Sequence, residues 1–509
     1  MVEPHSAVRG WAQRRVRRGL RFSVASLLVA LGCLFLCTGP ALALDLPVRV
    51  DTRLSTAEQF GYRPDYELNI PSFDVANHPT IRSRTVSQHI TAYSARLIDD
   101  AWVRSSLLGA VRAAYPSFAA TVHAGGFVSE RIEFDDLGRA YTLLDIRLKN
   151  GTRRNVLLYS LDGCTTWRLV TLPFGGKRVY FDGRDRGTAA LEQYAGYNTS
   201  PDPPLLAVWR PVADWPGSFA CRNELYVLKP FYEGDRLVLP APALVTRRFV
   251  GLCAAAGGAS FAASVPGTSF LVYARVSSSD DAGTPTCVAA FDHASATITQ
   301  RRLLAYARPR NDHHVTPGIV RDGDGYLHVL TGAHQSAFYH LQSANPLDAS
   351  AWSAPTQVLH GGFVRGEMEP PGRTCQTYLS LACLPDGRLV IVYRQRRAGV
   401  DRAFGGRSYD ALCCQVRSTD GTWSAPRRLV FCRNRAGYAQ YFQKLTVDRA
   451  GRLYLMLSYF NPHDWPKSQR AAHRYHHRML LISKDGGQGW EFATTLDFIE
   501  GIALVAAAG

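Results

Sequence analysis

Two histidines, His314 and His334, bracket a stretch that reads strand, tight turn, strand. Residues 315–320 are largely apolar, Asp322-Gly323-Asp324-Gly325 tolerates positive φ, and residues 326–330 are again largely apolar. Antiparallel strands of similar length bring their open ends side by side, so the spacing predicts that the two imidazoles meet on the side opposite the Asp-Gly turn. Such a pair can exchange protons near neutral pH, where histidine alone has an unperturbed pKa. The plainer reading has each imidazole hydrogen-bonding backbone at a sheet end.

The elements that would position these residues repeat along the chain. Asp135-Asp136-Leu137-Gly138-Arg139, Asp322-Gly323-Asp324-Gly325, Pro385-Asp386-Gly387-Arg388 and Asp448-Arg449-Ala450-Gly451-Arg452 share one turn pattern, each followed by alternating apolar residues. Gly325 to Gly387 is 62 residues, Gly387 to Gly451 is 64, and Gly138 to Gly325 is 187, close to three periods. Two degenerate repeats are therefore expected between residues 190 and 300, near 200 and near 262. A period of about 60 residues built of short strands suits a four-stranded propeller blade.

Residues 160–167 (SLDGCTTW) and 483–490 (SKDGGQGW) approximate an S-x-D-x-G-x-T-W Asp box, and 417–423 (RSTDGTW) is a shortened version. Their carboxylates can cap turn N–H groups while the tryptophan packs between strands, which is a structural role. These periods make six blades, and residues 45–115 with 498–509 can close a seventh. The expected fold is thus all-β, a β-propeller of seven four-stranded blades, with a short helical N-terminal segment at residues 97–114.

The repeat aligns further residues with His314. Tyr378 and Tyr441 follow it at separations of 64 and 63, each opening the first strand of its hairpin, and Arg394 ends a second strand as His334 does. His314, His334, Tyr378, Arg394 and Tyr441 are therefore expected at one channel mouth. His313 competes with His314, and Tyr438 with Tyr441.

Arg14, Arg15, Arg17, Arg18 and Arg21 precede an apolar run, and Ala41-Leu42-Ala43 follows it, the pattern of a cleaved signal peptide over residues 1–43. The division expected is signal peptide 1–43, N-terminal segment 44–115 and propeller 116–509, in a secreted or periplasmic monomer with no membrane span after cleavage. Removing residues 1–43 takes away six arginines and one glutamate, so the formal charge falls from +16 to +11 over 466 residues. A basic exported chain favours acidic ligands. It carries no basic helix, zinc-finger spacing or dense Lys/Arg run, so an acidic glycan is the expected partner and nucleic acid is not. Nine cysteines remain, an odd number, and Cys375, Cys383, Cys413, Cys414 and Cys432 are close enough in sequence for one or two local disulfides.

Asp312-His313-His314-Val315-Thr316-Pro317, Gly332-Ala333-His334, Thr377-Tyr378 and Val392-Tyr393-Arg394 carry a resemblance. In them the chain resembles the BNR-4 (sialidase-type repeat) family, and within it the seven-bladed propeller ulvan lyases, over roughly residues 115–497. That resemblance implies β-elimination on a uronate-containing polysaccharide, with catalytic roles for His314, His334, Tyr378 and Arg394 and substrate contact by Tyr441. No cofactor is required by such a route. Some relatives carry a structural zinc, but Gln395-Arg396-Arg397-Ala398 lacks the histidine that follows the arginine in them. Cys413, Cys414, His463, His473, His476 and His477 are the residues left to build a metal site, and a solvated His-rich loop is the alternative reading. A glycan-binding propeller without catalysis and a sialidase-like hydrolase are the alternatives; the hydrolase lacks its arginine motif, for which Glu130-Arg131-Ile132-Glu133 is a poor substitute.

Overall fold

The computed structural model describes residues 66–85, 92–99, 101–122, 131–150, 152–173, 189–213, 222–252, 259–358, 376–397, 408–431, 440–459 and 478–508. The expected signal peptide and Tyr438 lie outside them.

Alternating apolar residues between tight turns give antiparallel hairpins, and these assemble into seven blade sheets in chain order, with a separate two-stranded hairpin, Phe231–Glu233 with Arg236–Val238, inserted in the third. The blades span residues 66–106, 118–171, 189–249, 262–307, 318–357, 376–431 and 440–492. Each is a four-stranded meander, with an extra short strand, Glu133–Phe134, on the second and another, His334–Ser336, on the sixth. The chain is a seven-bladed β-propeller.

Strand periodicity explains how the blades stack. In the strand Leu389–Arg397, Leu389, Ile391 and Tyr393 pack on Val320, Leu330 and Phe338 of the fifth blade. The alternate residues Val390 and Val392 pack on Leu445, Leu453 and Leu455 of the seventh. A strand buried on both faces must be a continuous apolar run. Each such side chain contributes roughly 1.5–3 kcal/mol by leaving water.

The ring closes between first and last blades through side chains. Ile70, Phe73, Ile81 and Leu97 pack on Tyr454, Met456, Leu480 and Ile482. Asn77 adds a polar clasp, donating from Nδ2 to Asp448 Oδ2 at 3.4 Å and accepting from the Arg449 N–H at 2.8 Å.

The turn glycines Gly138, Gly325, Gly387 and Gly451 have φ between 76° and 86°, the region that favours glycine. The two degenerate repeats are hairpins around residues 192–205 and 266–267. The first blade holds a turn of the same kind that the glycine pattern misses. Asp74 Oδ1 accepts from the N–H groups of Ala76 and His78, as Asp135 Oδ1 does from Leu137 and Arg139, and Asn77 takes φ 64° in place of glycine.

Two expectations are corrected. Residues 97–114 are not one helix: Ala92–Ile98 and Ala101–Ser106 are strands of the first blade, and only Leu107–Ala114 is helical. Asp99, at φ 47°, reverses the chain and pairs Leu97 with Trp102. Nor does residue 498 onward supply closing strands. Thr495–Ala508 is a helix, rich in alanine, whose Asp497 carboxylate accepts from the Thr494 N–H at 2.7 Å. Among the described residues no helix is long and apolar enough to cross a membrane.

Candidate active site

Asp312 is the centre of the arrangement. The hairpin predicted between the histidines forms, as Gly318–Arg321 and Leu327–Leu330. His314 precedes it, and His334 lies beyond it in His334–Ser336, which leaves the fifth blade and pairs with Gln376–Cys383 of the sixth. His334 is opposite Thr377, and Thr377 is opposite Arg394, so one row across the sixth blade aligns these residues.

The imidazoles meet over a single carboxylate. His314 Nδ1 lies 2.5 Å from Asp312 Oδ1, and His334 Nδ1 lies 2.6 Å from Asp312 Oδ2. The His314 backbone N–H also donates to Asp312 Oδ1, at 2.8 Å. An ionised carboxylate only accepts, so each imidazole carries hydrogen on Nδ1 and Nε2 is its basic nitrogen. The ring centroids stand 4.6 Å apart.

Tyr378 and Arg394 complete the cluster. The Tyr378 ring is stacked 5.5 Å from that of His314 and 6.5 Å from that of His334. Its backbone has φ 61°, in a strand whose register shifts between Thr377 and Ser380, a bulge that re-aims the side chain. Gln443 Nε2 donates to the Tyr378 carbonyl and fixes the bulge from the seventh blade. Arg394 is fully buried, with Cζ 4.0 Å from the centre of the Tyr378 ring. The guanidinium therefore lies behind the phenol and not on an open wall.

The electrostatics follow from these contacts. Burial alone would push the Asp312 carboxyl up, but the hydrogen bonds from both imidazoles outweigh it and hold the group well below the usual carboxylate range. Burial lowers the His314 pKa, and the charges of His334 and Arg394 lower it further against the pull of Asp312. His314 is thus a ring oriented by Asp312 with its pKa held below the ordinary imidazole value.

The other predicted residues are placed as follows. His313 is buried, its ring centroid 4.2 Å from that of His314, so it backs the cluster and does not face outward. Tyr441 lies in the strand Gln440–Val447. Asp312, quoted only as part of a motif, is the residue sequence reasoning gave no role; an aspartate two positions before a histidine was its signal.

Asp312, His314 and His334 also offer ligand atoms within 4.8 Å of one another, a set that suits a divalent cation. The 2.5 and 2.6 Å spacings are those of hydrogen bonds, whereas ligands each about 2 Å from one metal would stand further apart. Cys413 and Cys414 are neighbours on Ser408–Arg417 and pack into different cores, so they do not share a metal. With Cys383 they are buried and form no disulfide, which removes them from the expected local bridges. His463, His473, His476, His477, Cys375 and Cys432 lie outside the described residues.

No curated protein matches the sequence. Among solved structures, a Trypanosoma rangeli sialidase in complex with sialic acid is 11% identical, with TM-score 0.37, over 72% of this chain and 54% of its own, so the chain spans about half of that protein. The PL25 ulvan lyase bound to -[GlcA(1-4)Rha3S]- is 9% identical, with TM-score 0.33, over 73% and 72%. The fucose-recognising lectin of Aleuria aurantia, a six-bladed propeller, is 11% identical, with TM-score 0.33, over 74% and 99%. The family model that matches is that of the BNR repeat-containing family member, over residues 268–498. That segment holds Asp312, both histidines, Tyr378 and Arg394, and over it the chain is similar to the BNR repeat-containing family.

Proposed function

We propose that this protein is an exported polysaccharide lyase that cleaves an acidic, uronate-containing polymer by β-elimination. One observation carries the reading: a single buried carboxylate, Asp312, fixes two imidazoles 4.6 Å apart with both Nε2 atoms as the proton-handling nitrogens. A binding surface has no need of two aligned bases. The resemblance of residues 311–460 to ulvan lyases adds to it.

The step runs as follows. His314 Nε2 takes the proton from C5 of the uronate, and the electron pair of that C–H bond moves into the carboxylate as an enolate-like charge. The pair then returns to form the C4–C5 double bond as the C4–O4 bond breaks. The departing O4 receives a proton from His334 Nε2–H or from the Tyr378 hydroxyl. Arg394, behind Tyr378, opposes the negative charge that develops on the uronate, in a site where burial strengthens such interactions. Asp312 stabilises whichever imidazole holds the extra proton.

The test is a screen of uronate polymers with purified protein. Eliminative cleavage leaves an ultraviolet-absorbing C4–C5 double bond. New reducing ends without that absorbance would replace the lyase by a hydrolase, and polymer binding with neither would leave a glycan-binding propeller.

A further inference from the structure

A cavity of about 590 Å³ adjoins the segment that carries Asp312, through Asn311. It is lined by Arg222, Arg248 and Arg310 with Ser277, Ser278 and Asn311. Arg222 and Arg248 come from the third blade, in the strands Arg222–Leu228 and Ala243–Phe249, while the serines follow the strand Thr268–Ala274 of the fourth. The cavity therefore sits between these two blades, where the Val276 N–H donates to the Arg248 carbonyl at 2.6 Å.

The position of this cavity relative to the histidines is fixed by the chain. Asn311 lines it and Asp312 is the next residue. Asn311 takes φ 53°, a conformation asparagine tolerates, so the chain turns between the two. Its side-chain Oδ1 accepts from the Ser277 N–H at 2.8 Å, and its own N–H donates to Thr284 Oγ1 at 2.8 Å. In the same segment the Arg308 carbonyl accepts from the His334 N–H at 3.1 Å. Two residues lie between Asn311 and His314, so three steps of chain span at most roughly 11 Å.

The charge balance is one-sided. Three arginines line the cavity, and among the described residues no carboxylate forms an ion pair with Arg222, Arg248 or Arg310. Arg222 Nε donates to the Arg247 carbonyl and Arg310 to the carbonyls of Ser279 and Asp281, which fixes their direction but leaves their charge. Asp281, whose carbonyl accepts from Arg310, has its carboxylate committed elsewhere: it accepts from Ser278 N–H and Oγ, from Tyr306 and from Arg275. The serine hydroxyls are engaged within the wall, Ser277 Oγ donating to the Gly283 carbonyl and Ser278 Oγ to Asp281, so the arginines are the groups left to hold carboxylate or sulfate oxygens.

We propose that this cavity is a subsite for an oxyanion, a carboxylate or a sulfate ester, on a sugar adjacent to the one held by the histidine cluster. The assignment rests on the lyase reading for the identity of the polymer. It gives the enzyme a requirement for charge at two places along the chain. Arg394 serves the reacting sugar from behind Tyr378, and the three exposed or half-buried arginines serve its neighbour.

The experiment measures binding and cleavage separately, by calorimetry and by ultraviolet product. The probes are a glucuronan oligosaccharide, its chemically sulfated derivative and a neutral glucan oligosaccharide of equal length. The variants are Arg248→Gln and Arg222→Gln, singly and together, with Arg248→Lys as the charge-retaining control and thermal unfolding as the check on the fold. The double variant should bind the anionic probes at least tenfold more weakly while melting as the parent does, and Arg248→Lys should recover part of the loss. Preference for the sulfated probe identifies a sulfate subsite, and equal binding of both anionic probes a carboxylate subsite. Unchanged affinity in the double variant, or neutral glucan bound as well as either anion, overturns the subsite. Arginine-dependent binding with no ultraviolet product from any polymer would leave the subsite standing and remove the lyase; product formation indifferent to the arginines would do the reverse.

Discussion

Tyr378 covers Arg394, with the guanidinium carbon 4.0 Å from the centre of the phenol ring, so the fully buried arginine of the cluster lies against a tyrosine that is itself held at φ 61°. The planar guanidinium stacks on the ring face as an ammonium cannot. Arg394→Lys should therefore keep the charge, lose the stack and lower turnover by about a hundredfold, about the scale of one lost oxyanion-type donor. Steady-state kinetics on a uronate polymer measure this, and an unchanged rate would show that charge alone suffices.

Asp312→Asn should be as damaging to catalysis. An amide cannot accept from both Nδ1–H groups with equal oxygens, so at least one imidazole is released to turn or to change tautomer. Loss of about a hundredfold or more in kcat, with polymer affinity nearly kept, is expected for an orienting carboxylate.

The pH profile follows from His314. Its pKa is lowered by burial and by the charges of His334 and Arg394, so the acid limb of kcat/KM should fall below the ordinary imidazole value of about 6.5. Arg394→Met removes one of those charges and should move the limb upward, whereas Arg394→Lys should not. Stability has the same sign. The unfolded chain binds the His314 proton more tightly, so the contribution of the neutral imidazole is present above about pH 6.5 and is lost as pH falls toward the folded value. Asp312, also lowered, contributes fully above about pH 4 and loses its contribution only as pH falls further.

Gly332 holds the histidine strands together. A Cβ there would stand 2.1 Å from the Val315 carbonyl carbon and 2.6 Å from the Thr316 nitrogen, both of them backbone atoms that cannot step aside. Gly332→Ala should force apart the segments carrying His314 and His334. A loss of about 1–3 kcal/mol of stability, as in overpacked cores, and a disproportionate loss of turnover are expected from chemical unfolding and kinetics measured together.

Asp162 offers the contrasting case. Its Oδ1 accepts from the Thr166 N–H at 2.8 Å and from Ser160 Oγ at 2.8 Å, in a turn beside the buried Trp167 and outside the cluster. Asp162→Ala should cost about 1 kcal/mol of stability and leave turnover unchanged. Intact folding with abolished turnover would assign that turn a part in the chemistry.

Much of the propeller is legible because its determinants are local. A glycine at positive φ after an Asp-containing turn marks one hairpin per blade, and the spacing of Gly325, Gly387 and Gly451 sets the repeat. The first blade is harder to read because Asn77 takes the glycine position, and because Trp102 and Val103 belong to a hairpin strand that looks helical beside Leu107–Ala114. The site is legible to the extent that blade repetition aligns His314 with Tyr378. It is not legible where pairing crosses blades: His334 joins the sheet of the next blade, Asp312 collects two rings from separate segments, and Arg394 retreats behind Tyr378. Such contacts depend on tertiary packing, which no spacing in one strand encodes.

The central claim is elimination by the Asp312-held imidazole pair, and the product mass tests it most directly. After digestion of a uronate polymer in ¹⁸O-labelled water, the fragments from the parent protein should be unsaturated and contain no ¹⁸O, and those from His314→Ala should be absent although the polymer still binds. Fragments that carry one ¹⁸O at the new reducing end, or unsaturated fragments formed by His314→Ala at the parent rate, would contradict the account.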